Sequence, residues 1–130
     1  MEGSNDVNTA AGDSTVLPTA ITYLRQMIEF AKSNGMRVMV ATVPPMAPPG
    51  IPARTKGSSI VPTYNGMVRA AATAEGIPLV DVYTAYGSDA PTLIGFDGLH
   101  PNPSGYQRIA DTFFAAIKSS LETNATTAKF

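Results

Sequence analysis

Asp97 and His100 stand close together in the run Asp97-Gly98-Leu99-His100-Pro101-Asn102-Pro103-Ser104-Gly105-Tyr106, and His100 is the chain's only histidine. A carboxylate that accepts from one imidazole nitrogen fixes the tautomer and leaves the other nitrogen free as a base. The same Asp-x-x-His spacing also suits a pair that only stabilises a turn, and spacing alone does not separate the two. A second polar block is Gly3-Ser4-Asn5-Asp6. A small-residue turn there exposes backbone N–H groups, and the Asn5 amide can donate to a developing oxyanion. Its plainer counterpart is an ordinary Asx-turn. One His and no Cys exclude a two-His metal site, a thiolate nucleophile, a disulfide framework and a Cys-based zinc site. Nothing in the sequence calls for a metal or an organic cofactor.

These residues need a scaffold. A chain of 130 residues, 44% hydrophobic and 15% charged, fits one domain with a packed core. Nine Lys and Arg against ten Asp and Glu, net charge −1, do not support binding to nucleic acid or to an anionic membrane surface. No stretch approaches the roughly 20 apolar residues that span a bilayer. The start, MEGSNDVN, has neither a basic n-region nor an apolar h-region. The compartment therefore stays open, with cytoplasmic the default and secretion expected only if a leader lies upstream.

Periodicity divides the chain. Residues 1–15 read as a polar loop. Leu17, Ile21, Leu24, Ile28 and Ala31 form one helical stripe, capped near Asp13, Ser14 or Thr15 and ended by Asn34-Gly35. Met36–Val43 reads as a buried parallel strand. Residues 44–59 form a long Pro-rich connection, either bordering a binding site or acting as a solvated linker. Val61–Glu75 is a second helix, with Tyr64, Met67, Val68, Ala71 and Ala74 on one face. Ile77–Tyr83 is a second strand, 84–103 is irregular, and a last helix runs from about Ser104 to Leu121 with Tyr106, Ile109, Phe113, Ile117 and Leu121 on one face. The tail 122–130 is expected to fray. Alternating helices and strands indicate an α/β domain with a parallel sheet. Two strands are few for such a sheet, since a two-stranded one is marginal.

Together the two polar blocks resemble the GDSL, or SGNH, family of esterases and lipases. The Gly-x-Asn-Asp match falls at Gly3, Asn5 and Asp6. The Asp-x-x-His-Pro match, followed by Gly-Tyr, falls at Asp97, His100, Pro101, Gly105 and Tyr106. The strand ending VATVPPM is also similar to the family's strand after the Asn block. The resemblance implies a flavodoxin-like three-layer fold with a parallel sheet, and a carboxylic ester hydrolase working through a serine ester. It implies His100 as general base, Asp97 as its orienting carboxylate and Asn5 as an oxyanion donor. It also implies a substrate-binding role for Gly3, with Met46, Ile51 and Tyr86 lining an acyl pocket.

The family's first two blocks, Gly-Asp-Ser with the nucleophile and a Gly of the oxyanion hole, precede the Asn block, which here begins at residue 3. The chain therefore reads as a partial, N-terminally truncated domain spanning 1–130. Gly12-Asp13-Ser14-Thr15 carries the right letters, but Val7-Asn8-Thr9-Ala10-Ala11 before it does not read as a central strand. Ser14 is better placed as a helix cap than as a nucleophile. An incomplete sheet would leave Met36–Val43 with an unpaired side. A homo-oligomer, a domain-swapped dimer or the absent N-terminal segment is then the expected partner, besides a small ester. The competing class is a catalytically inactive α/β binding or assembly fragment. A flavodoxin-like nucleotide binder fits less well, since the chain lacks a Gly-rich strand-to-helix turn.

Overall fold

Leu17, Leu24 and Ile28 recur at helical spacing, and they are the buried side of α2 (Leu17–Ser33). The computed structural model describes residues 2–48 and 50–127. Pro18 sits in the first turn of α2, where its missing N–H costs nothing. The chain leaves α2 through Asn34 and Gly35, the latter at φ 73°. α3 (Val61–Glu75) buries Val61, Tyr64, Val68, Ala71 and Ala72. Ala74, expected on that face, is exposed, and Ala72 takes the inner place. Gly76, at φ 62°, ends α3 in the left-handed conformation that glycine adopts without strain.

The expected loop over 1–15 is partly helical. Ser4–Ala10 forms α1, with Val7 buried beneath it, and Ser14–Val16 makes a short 3-10 turn into α2. The strands are shorter than the apolar runs that announce them. Only Val40–Ala41 (β1) and Leu79–Val80 (β2) pair, in parallel, with Val40 opposite Leu79 and Ala41 opposite Val80. A ladder extends only as far as both partners run alongside, and β2 stops where Asp81 caps α4 (Val82–Tyr86) through its side chain. The segment expected to be irregular holds the rest of α4, a 3-10 turn at Gly87–Asp89 and α5 (Ala90–Leu93). The Pro-rich connection contains 3-10 turns at Pro52–Arg54 and Ser58–Ile60. α6 runs from Pro103 to Thr127, past the expected end at Leu121. Residues 128–130 and the Leu121 side chain lie outside the described residues.

Side chains alternate across a strand, so β1 feeds two cores. Val40 packs with Leu24, Ile28, Tyr64 and Val68 against α2 and α3. Ala41 turns the other way, to Val80, Val82, Tyr86 and Leu93, with Ile109 and Phe113 of α6 over them. The result is a small parallel sheet with helices on both faces. Of the expected α6 face, Ile109 and Phe113 are half-buried, whereas Tyr106 and Ile117 are exposed.

Two polar clamps fix the strand ends. Buried Asn65 of α3 accepts from Val43 N–H at 2.9 Å and donates to Val43 C=O at 3.0 Å, standing in for a neighbouring strand. Thr42, also fully buried, donates to Asp81 at 3.0 Å and accepts from Tyr83 N–H at 2.9 Å. Both clamps satisfy backbone groups just beyond the carboxyl ends of the strands, where sites in open α/β sheets gather.

Candidate active site

The turn around His100 is built almost entirely from its own letters. Ile94 and Pro101 form an antiparallel bridge, closed by Gly95 N–H donating to His100 C=O at 2.7 Å and Asn102 N–H to Leu93 C=O at 2.9 Å. Asn102 then caps α6. Its side-chain oxygen accepts from Gly105 N–H at 3.0 Å, and Pro103 follows in the first turn. Gly105 has no room for a side chain, because its Cα faces Leu93 C=O and the Tyr86 hydroxyl. Gly98 adopts φ 78°, so Leu99 and His100 can turn their N–H groups back onto Asp97 Oδ1, at 3.1 and 3.0 Å.

The second Asp97 oxygen faces the ring. His100 Nδ1 lies 2.6 Å from Asp97 Oδ2. An ionised carboxylate only accepts, so Nδ1 is the donor and the Nε2 lone pair is free. The hydrogen bond from the ring, then those from the His100 and Leu99 N–H groups, hold the Asp97 carboxyl well below the usual carboxylate range. Burial opposes them, and Arg54 adds to the lowering. The Asp97 side chain is only 6% exposed and that of His100 is 59% exposed. The pair therefore presents its basic end to solvent and keeps its acidic end covered.

His100 lines a cavity of about 180 Å³ with Ser4, Asn5, Met46, Leu99 and Tyr106. Asn5 arrives there because α1 is nailed down on two sides. Gly3, at φ 106°, lies against the Tyr64 ring so closely that no Cβ would fit. The Tyr64 hydroxyl donates to Glu2 C=O at 3.0 Å. Burial, then the nearby Asp6 and Glu2 charges, push that hydroxyl up to about 12, so it stays a donor. On the other side Gly57 packs on the Val7 backbone, and Asn8 donates to Ala53 C=O at 3.0 Å.

Three expected pocket residues lie elsewhere. Tyr86 is a core residue, 1% exposed, and its hydroxyl donates to Gly105 C=O at 2.8 Å. It supports the His100 turn from beneath. Ile51 sits on the loop surface outside the cavity, and Gly3 shapes the approach of α1. Ser14 opens the turn before α2 and is not on the cavity wall. Periodicity and motif reading missed Arg54, whose Nη1 lies 2.7 Å from Asp97 Oδ2. The only sign of it was one of two cations, with Lys56, in a loop otherwise rich in Pro. Two larger depressions, about 520 and 530 Å³, lie at the far end of the sheet and between α1 and α2. Neither is lined by His100. Among the described residues no cluster of His, Asp or Glu could hold a metal ion, and no helix is long and apolar enough to cross a membrane.

The chain and its fold have counterparts among known proteins. Residues 1–108 match the GDSL-like lipase/acylhydrolase family, and the chain belongs to that family. Among solved structures it is similar to a candidate acylhydrolase from Bacteroides fragilis, 26% identical with a TM-score of 0.72 over 90% of this chain and 58% of that one. It is also similar to a GDSL-like lipase from Bacteroides thetaiotaomicron, 25% identical with a TM-score of 0.62 over 83% of this chain and 53% of that one. The esterase domain of a zebrafish retrotransposon ORF1 protein shares the fold at 16% identity, with a TM-score of 0.64 over 79% of this chain and 60% of that one. No curated protein matches the chain. The chain thus spans 58% and 53% of the two bacterial structures.

Proposed function

We propose that this chain carries the base, the orienting carboxylate and an oxyanion donor of a carboxylic ester hydrolase of the GDSL type. The observation that carries the reading is the 2.6 Å contact between His100 Nδ1 and Asp97 Oδ2, on the wall of the cavity that Asn5 also lines. His100 Nε2 takes the proton of a serine hydroxyl, a nucleophile not evident in this chain, as its oxygen attacks the ester carbonyl, and gives that proton to the leaving alcohol; the same imidazole then takes a proton from water, which cleaves the acyl-serine, releases the acid and restores the hydroxyl. Asp97 stays ionised and stabilises the imidazolium. The Asn5 amide donates to the tetrahedral oxyanion. Met46 and Leu99 supply an apolar wall for the acyl group. No step needs a metal or an organic cofactor. Replacing His100 by Ala should lower hydrolysis of a short aryl ester by about 10²–10⁴-fold. An unchanged rate overturns the reading.

The position of Ser14 favours a second reading. It lies off the cavity, and its hydroxyl makes no hydrogen bond to His100. An α/β binding or assembly fragment that retains the pair without turnover fits that observation. A serine-directed phosphonate followed by intact mass separates the two: an adduct dependent on His100 supports the hydrolase, and its absence supports the fragment. Among the described residues β1 pairs on one side only, and the proposed self-association through its other edge would appear as a dimer in sedimentation.

A further inference from the structure

The carboxylate oxygen that receives the imidazole also receives a guanidinium. Arg54 Nη1 lies 2.7 Å from Asp97 Oδ2, beside His100 Nδ1 at 2.6 Å. Oδ1 is taken separately by two backbone N–H groups, so ring and cation share one oxygen. The arrangement does not depend on a long side chain finding its place unaided. Ala47 N–H donates to Gly98 C=O and Ile51 N–H to Asp97 C=O, both at 2.8 Å. Gly50, at φ 27°, lies against the Asp97 carbonyl where a Cβ would clash. The loop is thus stitched to the backbone of Asp97 and Gly98, and the Pro52–Arg54 turn aims the guanidinium at the carboxylate.

We infer that Arg54 is a positioning residue that weakens the proton affinity of His100 by sharing Asp97 Oδ2 with its ring. The inference rests on the reading of His100 as the base. A carboxylate beside an imidazole favours the imidazolium, and a second cation on the same oxygen opposes it. A guanidinium keeps its charge at every working pH, so the bias is constant. A base must be unprotonated to act, so this counterweight keeps it available. The remaining ionisable groups nearest the cavity on the elements around it are Lys56 of the loop, Glu2 and Asp6 beside or on α1, and Tyr106, Arg108 and Asp111 on the first turns of α6, with Lys118 and Glu122 farther along that helix. Those nearest the cavity make no hydrogen bond to the ring or to the Asp97 carboxylate, and of them only Tyr106 lines the cavity.

Because the chain has a single histidine, the Cε1 proton of His100 gives one isolated NMR titration, readable without turnover. In Arg54→Gln its midpoint should rise by about half a pH unit, the size expected of one half-exposed charge at this range. Arg54→Met, which keeps the packing of the stem, should move it the same way, and Arg54→Lys should restore the parent value. A midpoint that stays put or falls in both Gln and Met variants overturns the inference, leaving Arg54 as glue for the loop. If one of these two variants fails to fold, the other decides. Asp97→Asn tests the underlying reading separately. It should lower the midpoint, and no change there defeats the His-Asp pair whatever Arg54 does.

Discussion

Asp81 and Asp97 are built on nearly the same plan and sit in different surroundings. Asp81 follows β2 and Asp97 lies in the turn after the Ile94 bridge; each accepts a backbone N–H from a residue ahead of it in the chain and holds an arginine from a distant element. Asp81 meets Arg69 twice at 2.9 Å, the Thr84 N–H and hydroxyl at 3.2 and 2.9 Å, and the Thr42 hydroxyl at 3.0 Å. Every partner there is permanently a donor, so the cluster can only hold β2, α4 and α3 together. Partial burial alone would raise the Asp81 carboxyl, but Arg69, Thr84 and Thr42 outweigh it and hold it at about 2. Asp97 exchanges one fixed donor for an imidazole that is 59% exposed and lines a cavity. A carboxylate with an arginine is therefore no sign of chemistry in this fold. A titratable partner open to a cavity is what distinguishes the two.

The largest contrast should come from removing each charge in turn. Asp97→Asn should cut ester hydrolysis by about 10²–10⁴-fold, while Asp81→Asn leaves the rate unchanged; equal losses would erase the distinction. Next in size is Asn5→Ala, with kcat reduced by about 10²–10³-fold and KM unchanged, since an oxyanion donor acts in the transition state. Smaller still is Arg69→Ala. It should cost about 1–2 kcal/mol in urea denaturation, with no effect on hydrolysis, because charge-assisted bonds to a partly exposed pair are worth about that much. The smallest effect is in acid. The Asp81 carboxyl titrates near 3.9 when unfolded and at about 2 when folded. Its stabilisation is therefore complete above about pH 4 and lost as pH falls through about 2. Asp97, also held low, contributes to the same acid fall. Asp81→Asn should flatten part of the fall in Tm on acidification, and an unaltered slope would remove Asp81 from the account.

The Asp97–His100 turn could be read from the residues because its contacts span a few positions and the letters themselves enforce it: Gly98 supplies the positive φ and Asn102 caps α6. The three long helices were legible for a similar reason, since a stripe at helical spacing needs no knowledge of its partner. Tyr86 shows where such reading stops. The family resemblance implied a place on the pocket wall for it, yet its hydroxyl found Gly105 C=O and the ring went into the second core. Strand length failed likewise, because an apolar run reports burial and a ladder depends on how far its partner runs alongside.

Composition, helical period and turn chemistry settled the α/β class, the three long helices and the Asp-His pair, all of them decided by neighbours along the chain. The meeting of Asn5, Met46 and Arg54 around that pair was settled in three dimensions. It depends on Gly3 against Tyr64, Gly57 against Val7 and the loop backbone against Asp97 and Gly98. Those are close packings between segments far apart in sequence, and shape complementarity of that kind leaves no local periodicity to read.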